Sequence, residues 1–196
     1  MDRKAAARAI EDFLRALGHE PVGELADTGE RVADAWQSEL LHGYSVDPAA
    51  VLRAGSIELH SEGAASNALI VLRDLAVMTM CPHHLLPAYG RCMVAYLPGR
   101  HVAGLGTIAQ VVDAFARRLS LQEQIGVQVV ELLVKELEAK GALCKLSLTH
   151  MCLALRGEKK EGAIVETMSF AGSFAVPHPD RDLALACVFG AGAGTR

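Results

Sequence analysis

Cys81 and His84 stand three residues apart in Cys81-Pro82-His83-His84-Leu85-Leu86-Pro87, close enough for both side chains to reach one ion. This stretch is too irregular for the helix or the strand period, so it is expected to be a turn. His150 and Cys152 stand two apart in a run that reads as a strand, Leu143–Leu155, which would point both side chains to one face. A pair of thiolates plus an imidazole suits zinc, and three protein ligands leave a fourth position for water. A water held there has its pKa lowered toward neutrality and supplies hydroxide at physiological pH. Spacing alone does not join the two pairs, which lie far apart in sequence and need not meet in space. Cys92, Cys144 and Cys187 have no partner at ligand spacing and sit in apolar segments, as buried core thiols do.

The elements that must position these residues follow from periodicity. Ile10, Phe13, Leu14 and Leu17 recur at helical spacing, and Gly18 stops the pattern. A second helix follows Thr28, with Val32, Trp36 and Leu40 on its buried face and Gly43 at its end. Mixed, small residues from Ser45 to Ala68 read as loop plus a short strand around Ile57–His60. Leu69–Met78 and Arg91–Leu97 read as strands, the second closed by the Pro98-Gly99 turn. Helical spacing returns at Ile108, Val111, Val112, Phe115 and Leu119, and again at Ile125, Val129, Leu132 and Leu133 before Gly141. Leu143–Leu155 and Ala163–Phe170 then form a hairpin around Arg156–Gly162. This order of helices and strands is that of an α+β domain. There is no internal repeat. The organisation expected is a helical segment at 1–44, a catalytic domain at 45–189 and a flexible, glycine-rich tail at 190–196.

The totals exclude several classes of function. The chain has 196 residues, enough to bury a real core, with 51% hydrophobic and 21% charged residues. Its formal net charge is −4, which offers no electrostatic attraction to nucleic acid or an anionic membrane. The start, Met1-Asp2-Arg3-Lys4, leads into a charged amphipathic stretch rather than an apolar signal, and no apolar run approaches the roughly 18 residues a membrane span needs. Five cysteines in this setting are reduced thiols or ligands, and the expected location is the cytoplasm. Mean hydropathy of +0.24 with few aromatics hints at surface that an oligomer would cover.

A wider pattern surrounds the metal candidates. Met80-Cys81-Pro82-His83-His84-Leu85-Leu86-Pro87 resembles the Cys-Glu-His-His signature of the GTP cyclohydrolase I family. The similarity continues through Val94-Ala95-Tyr96-Leu97-Pro98, Gly104-Leu105, Val112–Leu119 and Leu121-Gln122-Glu123-Gln124. It resumes at Thr149-His150-Met151-Cys152 and Leu155-Arg156-Gly157, and upstream Asp27–Ala33 is similar to the family's Thr-Pro-x-Arg helix start. The resemblance covers about residues 7–185 in the correct order. It implies a tunnelling fold (T-fold), an antiparallel sheet with two long helices on one face plus N-terminal helices. It further implies a homodecamer of two pentamers with active sites between subunits.

The resemblance also implies roles for single residues. Cys81, His84 and Cys152 match the family's ligands for Zn2+. His83 and His150 match histidines that shuttle protons during opening of the imidazole ring, although His83 could instead orient His84. Glu123, helped by Gln122, matches the acid that grips the guanine edge, and Arg31 and Arg156 match arginines that contact phosphate. In the family, hydroxide attacks C8 of a guanine-type purine, formate leaves, and rearrangement of the ribose gives dihydroneopterin triphosphate.

The phosphate side departs from that pattern. The family's Gly-Leu-Ser-Lys-Ile-x-Arg appears here as Gly104-Leu105-Gly106-Thr107-Ile108-Ala109-Gln110, and Asp34 stands where the family has a lysine. Three cations are absent and an anion is added, whereas charge-assisted phosphate contacts are worth roughly 1.5–3 kcal/mol each. The expectation is a zinc-dependent hydrolase of the GTP cyclohydrolase I type that opens the imidazole ring of a guanine-type purine at C8 with release of formate. Its competitors are a divergent enzyme acting on a less phosphorylated purine without sugar rearrangement, and a silent member with a binding role.

Overall fold

Four long apolar segments pair into one antiparallel sheet. The computed structural model describes residues 1–59 and 68–189, and the expected tail at 190–196 and the strand end at His60 lie outside them. The strands are β2 (Ile70–Met80), β3 (Pro87–Leu97), β5 (Gly141–His150) and β6 (Val165–Gly172), in spatial order β2-β3-β5-β6. A short ribbon joins β1 (Ser56–Glu58) to β4 (His101–Ala103). Register sets the geometry of everything that follows. Met80 lies opposite Pro87, and Ala88 lies opposite His150, so the end of β2, the start of β3 and the end of β5 share one edge of the sheet.

Helices α4 (Leu105–Ala116) and α5 (Gln122–Glu136) cover one face, as the helical spacing of their apolar residues requires. Ile108, Val111, Ile125, Val129 and Leu133 pack there against Val94, Tyr96, Cys144, Leu146 and Leu148, all essentially inaccessible to solvent. The Tyr96 hydroxyl accepts a hydrogen bond from the Ala103 backbone N–H at 3.2 Å, which anchors β4 to the core. At the Pro98-Gly99 turn the backbone of Glu138 comes so close that a Cβ on residue 99 would lie 1.7 Å from its carbonyl oxygen, so only glycine fits.

The second face carries a helix that periodicity did not reveal. After a 3-10 turn at Ser173–Ala175, α7 (Pro179–Phe189) lays Ala184 and Val188 against Ala95, Leu97, Leu143 and Phe174. The Arg181 guanidinium stacks 4.5 Å from the centre of the Phe170 ring, and Arg73 donates to the Cys187 carbonyl at 2.5 Å. Pro179 with Asp180 and Asp182 in the first turn is a proper helix start. The apolar residues that follow are spread too evenly around the helix to give a clear stripe.

At the N-terminus, α1 (Arg3–Ala16) is capped by Asp2, whose carboxylate accepts from the Ala5 N–H at 2.9 Å. It crosses α2 (Thr28–Ala35) at small residues: a Cβ on Gly29 would lie 2.6 Å from the Ala7 carbonyl oxygen. The expected contact face of the second helix is thus corrected. Gly29 and Ala33 are buried, while Val32, Trp36 and Leu40 are only half-buried, and from Trp36 to Leu40 the helix widens into a π turn. Phe13 and Leu17 are exposed. The short α3 (Pro48–Ala54), capped by Asp47, then leads into β1. Among the described residues no helix is long and apolar enough to cross a membrane.

Candidate metal centre

β2 delivers the first half of the site. The chain leaves the strand at Met80 and closes a tight loop in which Cys81 N–H donates to the Leu86 carbonyl and Leu85 N–H to the Cys81 carbonyl, both at 2.9 Å. Leu85 takes a left-handed conformation (φ 52°) to complete the turn. This folds His84 back over Cys81, with Nδ1 at 3.7 Å from Sγ.

The second half requires a correction. The strand expected through Leu155 ends at His150, and Met151–Ala154 forms a helical turn, α6, closed by Leu155 N–H on the Met151 carbonyl. His150 and Cys152 therefore do not share a face by strand alternation. The helical turn carries Cys152 across to Cys81, while His150 points toward the start of α5. The ligand atoms of Cys81, His84 and Cys152 all lie within 4.8 Å of one another. Tetrahedral zinc with bonds of about 2.0–2.3 Å sets its ligand atoms about 3.5–3.8 Å apart, so a contraction of about 1 Å would close the group on an ion. Burial pushes the Cys152 thiol above its ordinary pKa, the neighbouring Cys81 sulfur adds to this, and the Arg156 guanidinium opposes it. Two thiolates side by side need a cation between them.

The group opens on a cavity of about 190 Å³ lined also by His83, His150, Gln122 and Glu123. α5 brings the last two: the link from α4 is stitched to the end of β2 by a Met80–Leu119 bridge and by Ser120 N–H on the Met80 carbonyl. Glu123 lies in the first turn of α5, where the helix N-terminus favours its negative charge. The Gln122 side chain is turned inward and 3% exposed. Its Nε2 lies 3.1 Å from the Leu146 carbonyl, 2.9 Å from the Val165 carbonyl and 3.1 Å from Thr167 Oγ1, and its Oε1 lies 2.7 Å from His150 Nε2. Burial lowers the His150 pKa, and the nearby Glu123 carboxylate partly restores it. Thr79, 1% exposed, and Ser120 also line the cavity and went unnoticed in the sequence. Their only signal is adjacency to Cys81 and Gln122.

The expected phosphate contacts are not gathered here. Arg31 is exposed on α2 and pairs with Asp27 at 3.1 Å, and Asp34 is held by Arg3 of α1. Thr107 donates to the Gly55 carbonyl at 3.5 Å, and Gly106 and Gln110 face solvent. α4 begins beside Tyr96 and ends beside Met80, and its 12 residues span about 18 Å, so Gly106 and Thr107 lie toward the opposite end of the sheet from Cys81 and Gln110 lies midway. Arg156, just after α6, is the one expected arginine whose charge is felt at the thiols.

The sequence model described as GTP cyclohydrolase I matches residues 6–188. A protein named GTP cyclohydrolase 1 from Allorhizobium ampelinum is 39% identical over 180 residues, covering 91% of this chain and 87% of that protein. The chain belongs to the GTP cyclohydrolase I family. Other proteins named GTP cyclohydrolase 1 agree: that of Carboxydothermus hydrogenoformans is 35% identical over 190 residues (96% and 95% covered), and that of Mycobacterium leprae 36% over 190 (95% and 89%). Among solved structures, the archaeosine synthase QueF-Like in its apo form aligns with a TM-score of 0.46 at 20% identity, over 57% of this chain and 99% of that one. Membership in the GTP cyclohydrolase I family places the chain among enzymes, and its antiparallel sheet with two long helices on one face is the architecture expected of a T-fold.

Proposed function

We propose that the chain is a zinc-dependent hydrolase that opens the imidazole ring of a guanine-type purine at C8 and releases formate. The observation that carries this reading is the meeting of Cys81, His84 and Cys152 at the mouth of a cavity that also holds two further histidines and a carboxylate. Two thiolates and one imidazole, with a fourth direction open to the cavity, fit zinc better than calcium or magnesium, which prefer oxygen donors. A zinc ion held there would supply an activated water at neutral pH.

The chain's own residues account for the rest. Purine C8 is a poor electrophile until N7 carries a proton, and His150, pointing into the cavity from the end of β5, is suited to deliver one. His83, whose ring centre is 6.2 Å from that of His84, is exposed enough to exchange protons with solvent and pass one to the departing nitrogen. The Glu123 carboxylate accepts from guanine N1–H and the 2-amino group together, donors that adenine lacks. Arg156 and Arg31 are proposed phosphate contacts. Because Arg31 lies outside the cavity lining, it would serve a neighbouring subunit's site, in keeping with a homo-oligomer built from ten copies.

One observation favours a second reading, in which the substrate carries fewer phosphates. Among the described residues no lysine or arginine lines the cavity, and the α4 positions Gly106, Thr107 and Gln110 carry no cation. The same experiment tests both readings: zinc-loaded protein is incubated with GTP, guanosine and guanine while formate release and pterin fluorescence are followed. Turnover of GTP to a fluorescent pterin refutes the second reading. Formate from an unphosphorylated purine alone refutes GTP as substrate, and no product from any purine refutes ring opening altogether.

A further inference from the structure

We infer that Gln122 is a positioning residue that locks His150 in one tautomer, with the proton on Nε2, so that His150 meets substrate only through Nδ1. The inference deepens the proposed function and rests on it for the role of His150, but its geometric part stands alone. It begins with a side-chain amide whose orientation is decided by its surroundings. The two backbone carbonyls beside one end of the Gln122 amide, Leu146 at 3.1 Å and Val165 at 2.9 Å, can only accept. The amide nitrogen must therefore sit at that end, since a flipped amide would press an oxygen against two oxygens in a site 3% exposed. Thr167 Oγ1 at 3.1 Å is a further acceptor for the same nitrogen.

With that end fixed, Oε1 is the atom facing His150, at 2.7 Å from Nε2. A carbonyl oxygen cannot donate, so Nε2 must. The neutral ring then carries its lone pair on Nδ1, and the tautomer is dictated by the bond at the other nitrogen. The carbonyls that hold the amide belong to paired strands: Leu146 faces Thr167, and Leu148 faces Val165. Gln122 thus ties the start of α5 to the β5–β6 ladder, and the catalytic ring is held by the sheet rather than by a loop. For ring opening, His150 would collect a proton at Nδ1 and hand it on from the same atom, while Nε2–H stays committed to Gln122.

The test is nitrogen NMR of the full chain labelled at its histidines, with assignment of His150 by a His150→Gln variant. The wild type is expected to show a protonated-type Nε2 and a lone-pair-type Nδ1 at alkaline pH, with and without zinc. A proton on Nδ1 in the neutral ring would overturn the inference, and needs no variant that could misfold. Gln122→Met, of similar length and without an acceptor, is expected to mix the tautomers and lower kcat about 10- to 100-fold with KM changed less than threefold, as loss of a partner that orients a functional histidine does. A Gln122→Met protein with its melting curve intact and an unchanged tautomer would also overturn it. If the wild type shows the Nε2–H tautomer but no purine is turned over, the lock stands and the proposed reaction falls.

Discussion

Zinc affinity should fall about 100-fold for each pH unit of acidification between pH 8 and 7. The ligand is the thiolate, and an ordinary thiol, with a pKa near 8.5, is protonated at neutral pH, so binding through Cys81 and Cys152 displaces two protons. Each displaced proton costs about 1.36 kcal/mol per pH unit below the thiol pKa, so the pair costs about 2.7 kcal/mol, or a factor of about 100 in apparent affinity. Burial and the neighbouring Cys81 sulfur push the Cys152 pKa upward, which extends this steep range to higher pH rather than shortening it. The assay is competition with a chromogenic chelator at half-unit steps of pH, with the logarithm of the apparent constant plotted against pH. Cys152→Ala should reduce the slope near pH 7.5 to one. At fixed free zinc, a change of 2.7 kcal/mol should also move the melting temperature by about 5–11 °C per pH unit. A wild-type slope of one or less would refute the two-thiolate site.

Three further outcomes follow from single contacts. Tyr96→Phe removes the acceptor for the buried Ala103 N–H and should cost about 1–3 kcal/mol in urea unfolding, with no change in zinc affinity; a loss within error would mean that N–H has another partner. Burial raises the Asp113 carboxyl pKa despite nearby Arg117 and His42. A raised carboxyl binds its proton more tightly in the folded chain, so its stabilising contribution is full at low pH and is lost as pH rises through the folded value. The melting-temperature advantage of Asp113→Asn over wild type should therefore grow from pH 3.5 to pH 7, and a constant difference would refute the assignment. Glu123→Gln should lower kcat/KM for guanine-type substrates by about 10- to 100-fold, the loss of one charge-assisted hydrogen bond, while leaving zinc content unchanged; undiminished kcat/KM would remove Glu123 from base recognition.

The sheet and the two long helices were legible because the strands are dense in apolar residues and the helices repeat theirs at helical spacing against the face they cover. α7 was not, since its apolar residues spread around its axis: Ala184, Leu185 and Val188 meet the second face while Leu183 is exposed. The contact of α1 with α2 also escaped reading, because close approach on Ala7 and Gly29 depends on small side chains that carry no hydrophobic signal. At the site, spacing within Cys81-Pro82-His83-His84 was informative, but the alternation expected for His150 and Cys152 broke where β5 turned into α6. No local pattern foretold that turn. Its start resembles a continuing strand, and the strand ends where pairing runs out: β6 accompanies β5 as far as Leu148 opposite Val165, and β3 as far as His150 opposite Ala88.

In the proposed reaction that break would divide two tasks between neighbouring side chains. Had β5 continued through Cys152, alternation would have sent His150 and Cys152 to one face, and both would have competed for any ion bound at Cys81 and His84. The helical turn separates them: Cys152 joins the sulfur of Cys81, and His150 is left to Gln122 and the cavity. Under the proposed function metal binding would fall to Cys152 within the turn and proton transfer to His150 just before it. Lengthening the strand by replacing Met151 and Leu153 with β-branched valines should weaken zinc binding and release His150 from Gln122 together. Loss of one without the other would show that the turn at α6 does not couple them.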